Sequence, residues 1–403
     1  MKLASGTLLV ILTIGFVAPM ITNRWPRLRI PSLVVEILLG IAVGPAGADL
    51  VEISPPIHML YVLGLSTLIF MAGFEIQPQR MRGRPAMLAL GGWITSVIIG
   101  LVLAGALQAA GVVRSELFVG FALTTTALGA LLPIVRDAGL LPTGFGTHVL
   151  AIGSVGEFGP IIVVALVLAG TQPTRSAIAL LVFSIMAVAI AVIVAKVLSA
   201  RFPDLLNKTL HSSGQLHVRL ALLLIVLMAF VADRLELDYL LGAFSAGVVY
   251  RMLLASDDHG ESAHAVEAKL DAVAFGYVVP IFFVVTGIDF DLEALTANPA
   301  ALLKVPLFLV LFLVVRGAPM VWYRGQFHST RERLSLALLS ATALPLVVVI
   351  TELGVESGQM RSSTAAALVG AGMCSVVIFP AIGIKLATAN EQLERAPEHG
   401  GRV

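Results

Sequence analysis

The chain has 403 residues, 58% of them hydrophobic and 13% charged, with a mean hydropathy of +0.96. A soluble domain carries about 25% charged residues, so these figures exclude a water-soluble globular protein and leave a polytopic membrane protein. The net charge of +1 says nothing about partners, and the single cysteine, Cys374, excludes an intrachain disulfide and a cysteine-based metal site.

A bilayer core is crossed by roughly 20 apolar residues of helix, fewer where a helix is broken or buried. Charge-free runs predict thirteen spans, at about 3–23, 31–48, 56–76, 85–110, 115–135, 144–169, 176–199, 217–233, 238–255, 270–288, 300–323, 332–351 and 362–388. The expected architecture is all-α, with one transmembrane domain over 1–388 and a short cytoplasmic tail over 389–403. The first run, Leu3 to Asn23, follows one lysine and lacks a convincing small-residue cleavage site, so it reads as a retained span. The second span is short and ends at Gly44-Pro45. It contains Glu36, which reads as a buried contact rather than a vestibule ligand. The third ends at Glu75 beside Arg80 and Arg82, an interfacial position.

The fifth span is interrupted by Thr124-Thr125-Thr126. Three β-branched hydroxyl residues can unwind a helix and leave carbonyls for a cation, although threonines can also back-bond to the preceding turn. The sixth holds Glu157, the only acid between Ala138 and Thr174. A carboxylate in mid-membrane is costly and is normally paired, protonated or functional. Its neighbours Gly153, Ser154, Gly156 and Gly159 are small, and Pro160 removes a helix hydrogen bond nearby. Ser154 lies one turn before Glu157 on roughly the same face, a candidate hydroxyl ligand. His148, near one end of this span, has no partner at metal-ligand spacing and reads as a satisfied membrane histidine.

Asp289 and Asp291 follow the tenth span and read as interfacial acids that gather cations. Arg316 falls inside the eleventh, in KVPLFLVLFLVVRGAPMVWYRG. Two readings stand: it snorkels toward the interface marked by Trp322, Tyr323 and Arg324, or it pairs with Glu157 and leaves when a cation arrives.

Loop charges test the count. With an outside N-terminus, nineteen of the 26 basic residues fall on the cytoplasmic side and six on the outer side, the bias the positive-inside rule requires. The acidic loop around Ser256 to Lys269 is the one segment that disagrees. The chain also repeats itself. Thr126-Ala127-Leu128 recurs 216 positions later as Thr342-Ala343-Leu344, each copy in an apolar span with a nearby proline (Pro133, Pro345). The same offset carries Gly156 onto Gly372 and Glu157 onto Met373. Ser340, Thr342 and Pro345 therefore read as the partner of the first interruption. Seven spans separate the copies, and an odd number inverts them, the organisation of many secondary transporters.

PSLVVEILLGIAVGP resembles the proline–GE–glycine–GP second helix of the monovalent cation:proton antiporter superfamily. LGLSTLIFMAGFEI and GYVVPIFFVVTGIDFDL resemble further segments, and with the Thr124 and Glu157 helices and ATALPLVVVITELG the likeness runs over essentially the whole chain. The resemblance implies a core domain with two crossed, discontinuous helices (spans five and twelve), a dimerisation domain and hence a homodimer. It implies a core that carries one ion site across the bilayer. The chain departs from electrogenic members, which usually place two adjacent aspartates where Gly156-Glu157 stands. Arg316-Gly317 matches the basic residue of a later helix, in the arginine form of the electroneutral branch. The regulatory nucleotide-binding domain of the Kef potassium-efflux systems is not expected.

The expected function is secondary antiport of Na⁺ or K⁺ against H⁺ in the plasma membrane, with no cofactor, no nucleic acid and no enzymatic chemistry. Glu157 is the shared proton and cation site, with ligands from Ser154 and Thr124–Thr126 and with Arg316 as charge partner. Symport of an organic solute on a related fold, and a membrane subunit that transports nothing, are the alternatives.

Overall fold

The computed structural model describes residues 2–24, 31–75, 83–168, 179, 182–190, 192–193, 215–235, 237–255, 260–296 and 299–395. Among them every regular element is helical. In chain order these are α1 (Lys2–Arg24), α2 (Ser32–Val43), α3 (Pro55–Phe74), α4 (Arg84–Ala109), α5 (Glu116–Leu123), α6 (Leu128–Asp137), α7 (Gly144–Leu168), α8 (Leu216–Arg234), α9 (Tyr239–Ala255), α10 (Gly260–Val273), α11 (Val279–Ile288), α12 (Leu292–Thr296), α13 (Pro299–Gly317), α14 (Thr330–Ser340), α15 (Pro345–Glu356) and α16 (Ser362–Arg395). A π-helical turn, Ala274–Val278, joins α10 to α11, and a 3₁₀ segment, Ala318–Gly325, continues α13.

Every predicted span except the seventh coincides with one of these helices or with a consecutive pair. Of 176–199, half lies outside the described residues, and 182–190 is helical. Seven of the described helical segments are long and apolar enough to cross a membrane, and the bent pair α14–α15 brings the number to eight. This is a multi-pass membrane protein. Prolines start several helices: Pro55, Pro85 and Pro345 stand in first turns, where the missing N–H costs nothing.

The chain forms two compact units. The first comprises Met1–Arg24, Ser32–Pro78 and Ile161–Phe290; the second comprises Trp25–Pro31, Gln79–Pro160 and Asp291–Val403. In the first unit α2 packs on α11, and α3 packs on α9 around Phe70, Phe74 and Tyr250, whose rings lie about 6 Å apart. Glu36 is buried on α2.

In the second unit α4 shows how a membrane helix inverts soluble patterning. Its large residues Met87, Leu90, Ile94, Ile98 and Val102 face outward. Its small ones, Ala89, Gly92, Ser96, Gly100 and Ala104, face the protein. Lipid solvates the large side chains as well as a core would, so small residues go where backbones must approach. Two helices of this unit are interrupted. α5 and α6 are separated at 124–127, and α14 and α15, bent by 43°, at 341–344.

Candidate functional site

The first interruption begins with the threonines. The hydroxyls of Thr124 and Thr125 each donate to the carbonyl three residues earlier, Phe121 and Ala122, at 2.8 Å. Their own amides bond to the same two carbonyls at 3.0 and 3.3 Å, so α5 tightens and stops. The next three amides then leave the helical ladder for three different partners. Thr126 N donates to Gly156 O at 3.0 Å, and Ala127 N to Thr342 O at 2.7 Å. Leu128 N donates to Glu157 Oε2 at 3.1 Å.

Leu128 is the first residue of α6, so the Glu157 carboxylate lies at a helix N-terminus. The unsatisfied amides and the helix dipole both favour an anion there. Glu157 is 6% exposed, and an acid at this place can hold a proton or, ionised, a cation.

Arg316 is 2% exposed at the end of α13. Its side chain turns into the unit, against the snorkelling reading. Nε donates to Thr126 Oγ1 at 3.1 Å and to Ser340 O at 3.2 Å. Nη2 donates to Thr126 Oγ1 at 2.8 Å and to Ile152 O at 3.4 Å, and Nη1 to Ser96 Oγ at 3.3 Å. A buried charge survives only with such partners, because several kcal/mol of hydration must be replaced. Position 156 is shaped by the same guanidinium: a Cβ there would stand 2.5 Å from Arg316 Nη2 and 2.5 Å from Thr126 Oγ1. No side chain fits at 156 while Arg316 occupies this place.

The second interruption is bonded to the first through Ala127 and Thr342, and through Thr126 Oγ1, which donates to Ser340 O at 2.6 Å. Ala343 N donates to Ser375 Oγ at 3.0 Å. The Ser375 hydroxyl lies 2.7 Å from Gly372 O. Pro345 opens α15. The expected residues Thr124, Thr125, Thr126, Gly156, Glu157, Arg316, Ser340, Thr342 and Pro345 are thus gathered around one pair of interruptions. Ser154 is buried on α7, one turn before Glu157.

The remaining candidates lie apart from this cluster. His148 Nδ1 donates to Gly144 O at 2.8 Å, and its ring packs edge-on against Tyr323 and Phe327. Glu36 is buried in the first unit, and Glu75 caps the end of α3. Arg80 and Arg82, its expected neighbours, lie outside the described residues. Asp289 caps α11, where burial raises its carboxyl above the usual range and His58 partly offsets this. Among the described residues no three His, Cys, Asp or Glu side chains form a metal-holding group.

Two residues of the site were not legible in the sequence. Ser96 and Ser375 are lone serines in apolar runs. The 216-residue offset places Gly159, not a hydroxyl, opposite Ser375. The only available signal for Ser96 is its place on the small-residue stripe of α4.

A family model described as sodium/hydrogen exchanger, transmembrane, matches residues 11–386. A putative Na⁺/H⁺ antiporter of Bacillus subtilis, YjbQ, is 24% identical over 96% of this chain and 64% of its own length. The chain therefore spans a little under two thirds of that relative. A Na⁺/H⁺ antiporter of Enterococcus hirae is 22% identical over 88% of this chain and 91% of its own length. The solved structure of the sodium proton antiporter MjNhaP1 from Methanocaldococcus jannaschii superposes with a TM-score of 0.67 at 15% identity, covering 98% of this chain and 99% of that one. That likeness establishes the fold.

Proposed function

Since the chain belongs to the sodium/hydrogen exchanger transmembrane family, we propose that it is a secondary antiporter exchanging Na⁺ or K⁺ for H⁺ with Glu157 as the shared site. The observation that carries this reading is the buried Glu157 carboxylate on the first amide of α6. A protonated Glu157 is neutral and needs no partner charge. An ionised one is favoured by the helix N-terminus and by the nearby guanidinium, and a cation can take over that support. Ser154 and the oxygens of Thr124–Thr126 complete the cation's shell. Potassium enters the reading because a Bacillus cereus relative, 24% identical, is named a Na⁺/H⁺-K⁺ antiporter.

The full architecture in this reading has thirteen spans, the N-terminus outside and the C-terminus in the cytoplasm. Spans five and six are repeated, inverted, by spans twelve and thirteen. The second unit is the moving core, the first belongs to the dimer scaffold, and alternating access carries the site across.

Exchange is electroneutral. One acid serves the site, Gly156 brings none, and a guanidinium keeps its proton because its intrinsic pKa is above about 12. One proton therefore leaves for each cation that binds.

The test is purified protein in proteoliposomes. Proton flux that depends on added Na⁺ or K⁺, with no cation flux driven by an imposed membrane potential at zero chemical driving force, is the expected result. Potential-driven cation flux would show that a second charge moves. Absence of any cation-dependent proton flux would favour the organic-solute symporter or the non-transporting subunit.

A further inference from the structure

The hydroxyl of Thr126 is fully committed. It accepts from Arg316 Nε and Nη2 at 3.1 and 2.8 Å and donates to Ser340 O at 2.6 Å. A hydroxyl has one proton and two lone pairs, so no lone pair remains for a cation while Arg316 stays. The same side chain lies two residues from Leu128, whose amide holds Glu157. A cation that reaches Glu157 and recruits Thr126 Oγ1 must therefore remove the two arginine N–H groups from it. The guanidinium's far end is held separately, by Ser96 Oγ on Nη1, from α4. Ser96 is completely buried. Its place on the inward stripe of α4 holds it still.

We infer that Thr126 is a handover residue, passing its hydroxyl from Arg316 to the cation, and that Ser96 is the fixed post that returns the arginine to Thr126 when the cation leaves. Cation arrival and arginine displacement then become one event. The positive charge near Glu157 stays roughly constant through the exchange, which removes the cost of an ionised acid standing alone in a dry site. This inference rests on Glu157 being the ion site. The titratable groups near Arg316 are Glu157, which follows Gly156, the position where an added Cβ would stand 2.5 Å from Nη2, and Tyr323 from the 3₁₀ segment. The groups presented by α4 and α14 are the uncharged Ser96 and Ser340 carbonyl.

Radiolabelled Na⁺ or K⁺ binding to the purified protein, measured against pH, tests the handover without needing transport. Ser96→Ala should raise the pH of half-maximal cation binding by roughly half a unit, against about one unit for Arg316→Ala. In an Arg316→Ala background Ser96→Ala should have no further effect, since a post without its arginine is idle. Thr126→Val should weaken binding and also raise the midpoint, and only the weakening should persist without Arg316. Thr126→Ser should restore both.

A Ser96→Ala midpoint that does not move, or that moves equally with and without Arg316, overturns the inference alone. So does Thr126→Val that weakens binding with an unchanged midpoint, which would make Thr126 a plain ligand. Wild-type protein that binds neither cation at any pH overturns the ion-site reading and the handover together.

Discussion

The two helix interruptions of the second unit share a construction and differ in their contents. In each, a short non-helical segment separates two half-helices, and a glycine from a neighbouring helix lies against it. Gly156 lies against Thr126, and Gly372 against Ala343, whose carbonyl would stand 2.8 Å from an added Cβ. In each, an amide released by the break finds a side-chain acceptor on that neighbour, Leu128 N at the start of α6 and Ala343 N two residues before α15. At the first interruption the acceptor is the carboxylate of Glu157, and at the second it is the hydroxyl of Ser375. The Arg316 guanidinium reaches into the first through Thr126 and meets the second at the Ser340 carbonyl, while the Ser340 hydroxyl donates to the Arg316 carbonyl at 3.2 Å. The break is therefore architecture, satisfied equally well by a neutral hydroxyl. In the proposed reading, the ionisable Glu157 and Arg316 at one of the two make that one the ion site.

The comparison breaks most completely if the first interruption is made as neutral as the second. Glu157→Gln keeps the shape and an acceptor for Leu128 N, yet it can neither ionise nor release a proton. Cation-dependent proton flux in proteoliposomes should fall to the level of empty liposomes, while thermal stability stays close to wild type.

Removing the other charge is the next largest change. Arg316→Ala takes away a cation that favours the ionised acid, so protons compete better and the transport profile should move to higher pH by about one unit or more. An unchanged profile would mean that the guanidinium braces the fold without acting on the acid.

The glycines sharpen the comparison. Gly156→Ala and Gly372→Ala both force atoms into occupied space, and each should cost about 1–3 kcal/mol of stability by thermal or denaturant unfolding. Only Gly156→Ala displaces Arg316, so only that variant should also shift the pH profile. The smallest effect belongs to Ser375→Ala, which leaves a buried amide without its acceptor and should cost about 1 kcal/mol, with the pH profile unmoved.

Much of this arrangement could be read from the chain itself. Glu157 and Arg316 announce themselves because charges in apolar spans are expensive. The interruptions are visible because threonine runs, Pro345 and the repeated Thr-Ala-Leu disturb otherwise uniform helices. The small-residue surroundings of Glu157 likewise foretell close backbone approach. What the sequence conceals is partnership across distance. Beyond its place on a small-residue stripe, Ser96 looks like any other serine in a membrane helix until α13 brings Arg316 to it across 220 residues. The direction of Arg316 was equally open, since snorkelling and inward pairing place the same residue at the same helix end. The division into two units escapes the sequence as well, because each is assembled from separated stretches and the boundary at Pro160 falls inside the continuous helix α7.

The central claim is that one carboxylate trades a proton for a cation. Adding Na⁺ or K⁺ to the purified protein in lightly buffered detergent solution, near the pH of half-maximal binding, tests it directly. Protons should appear in the medium with wild-type protein, saturating with the same cation dependence as binding, and none should appear with Glu157→Gln. Equal proton release from the two proteins would place the exchanging group elsewhere and contradict the assignment of Glu157.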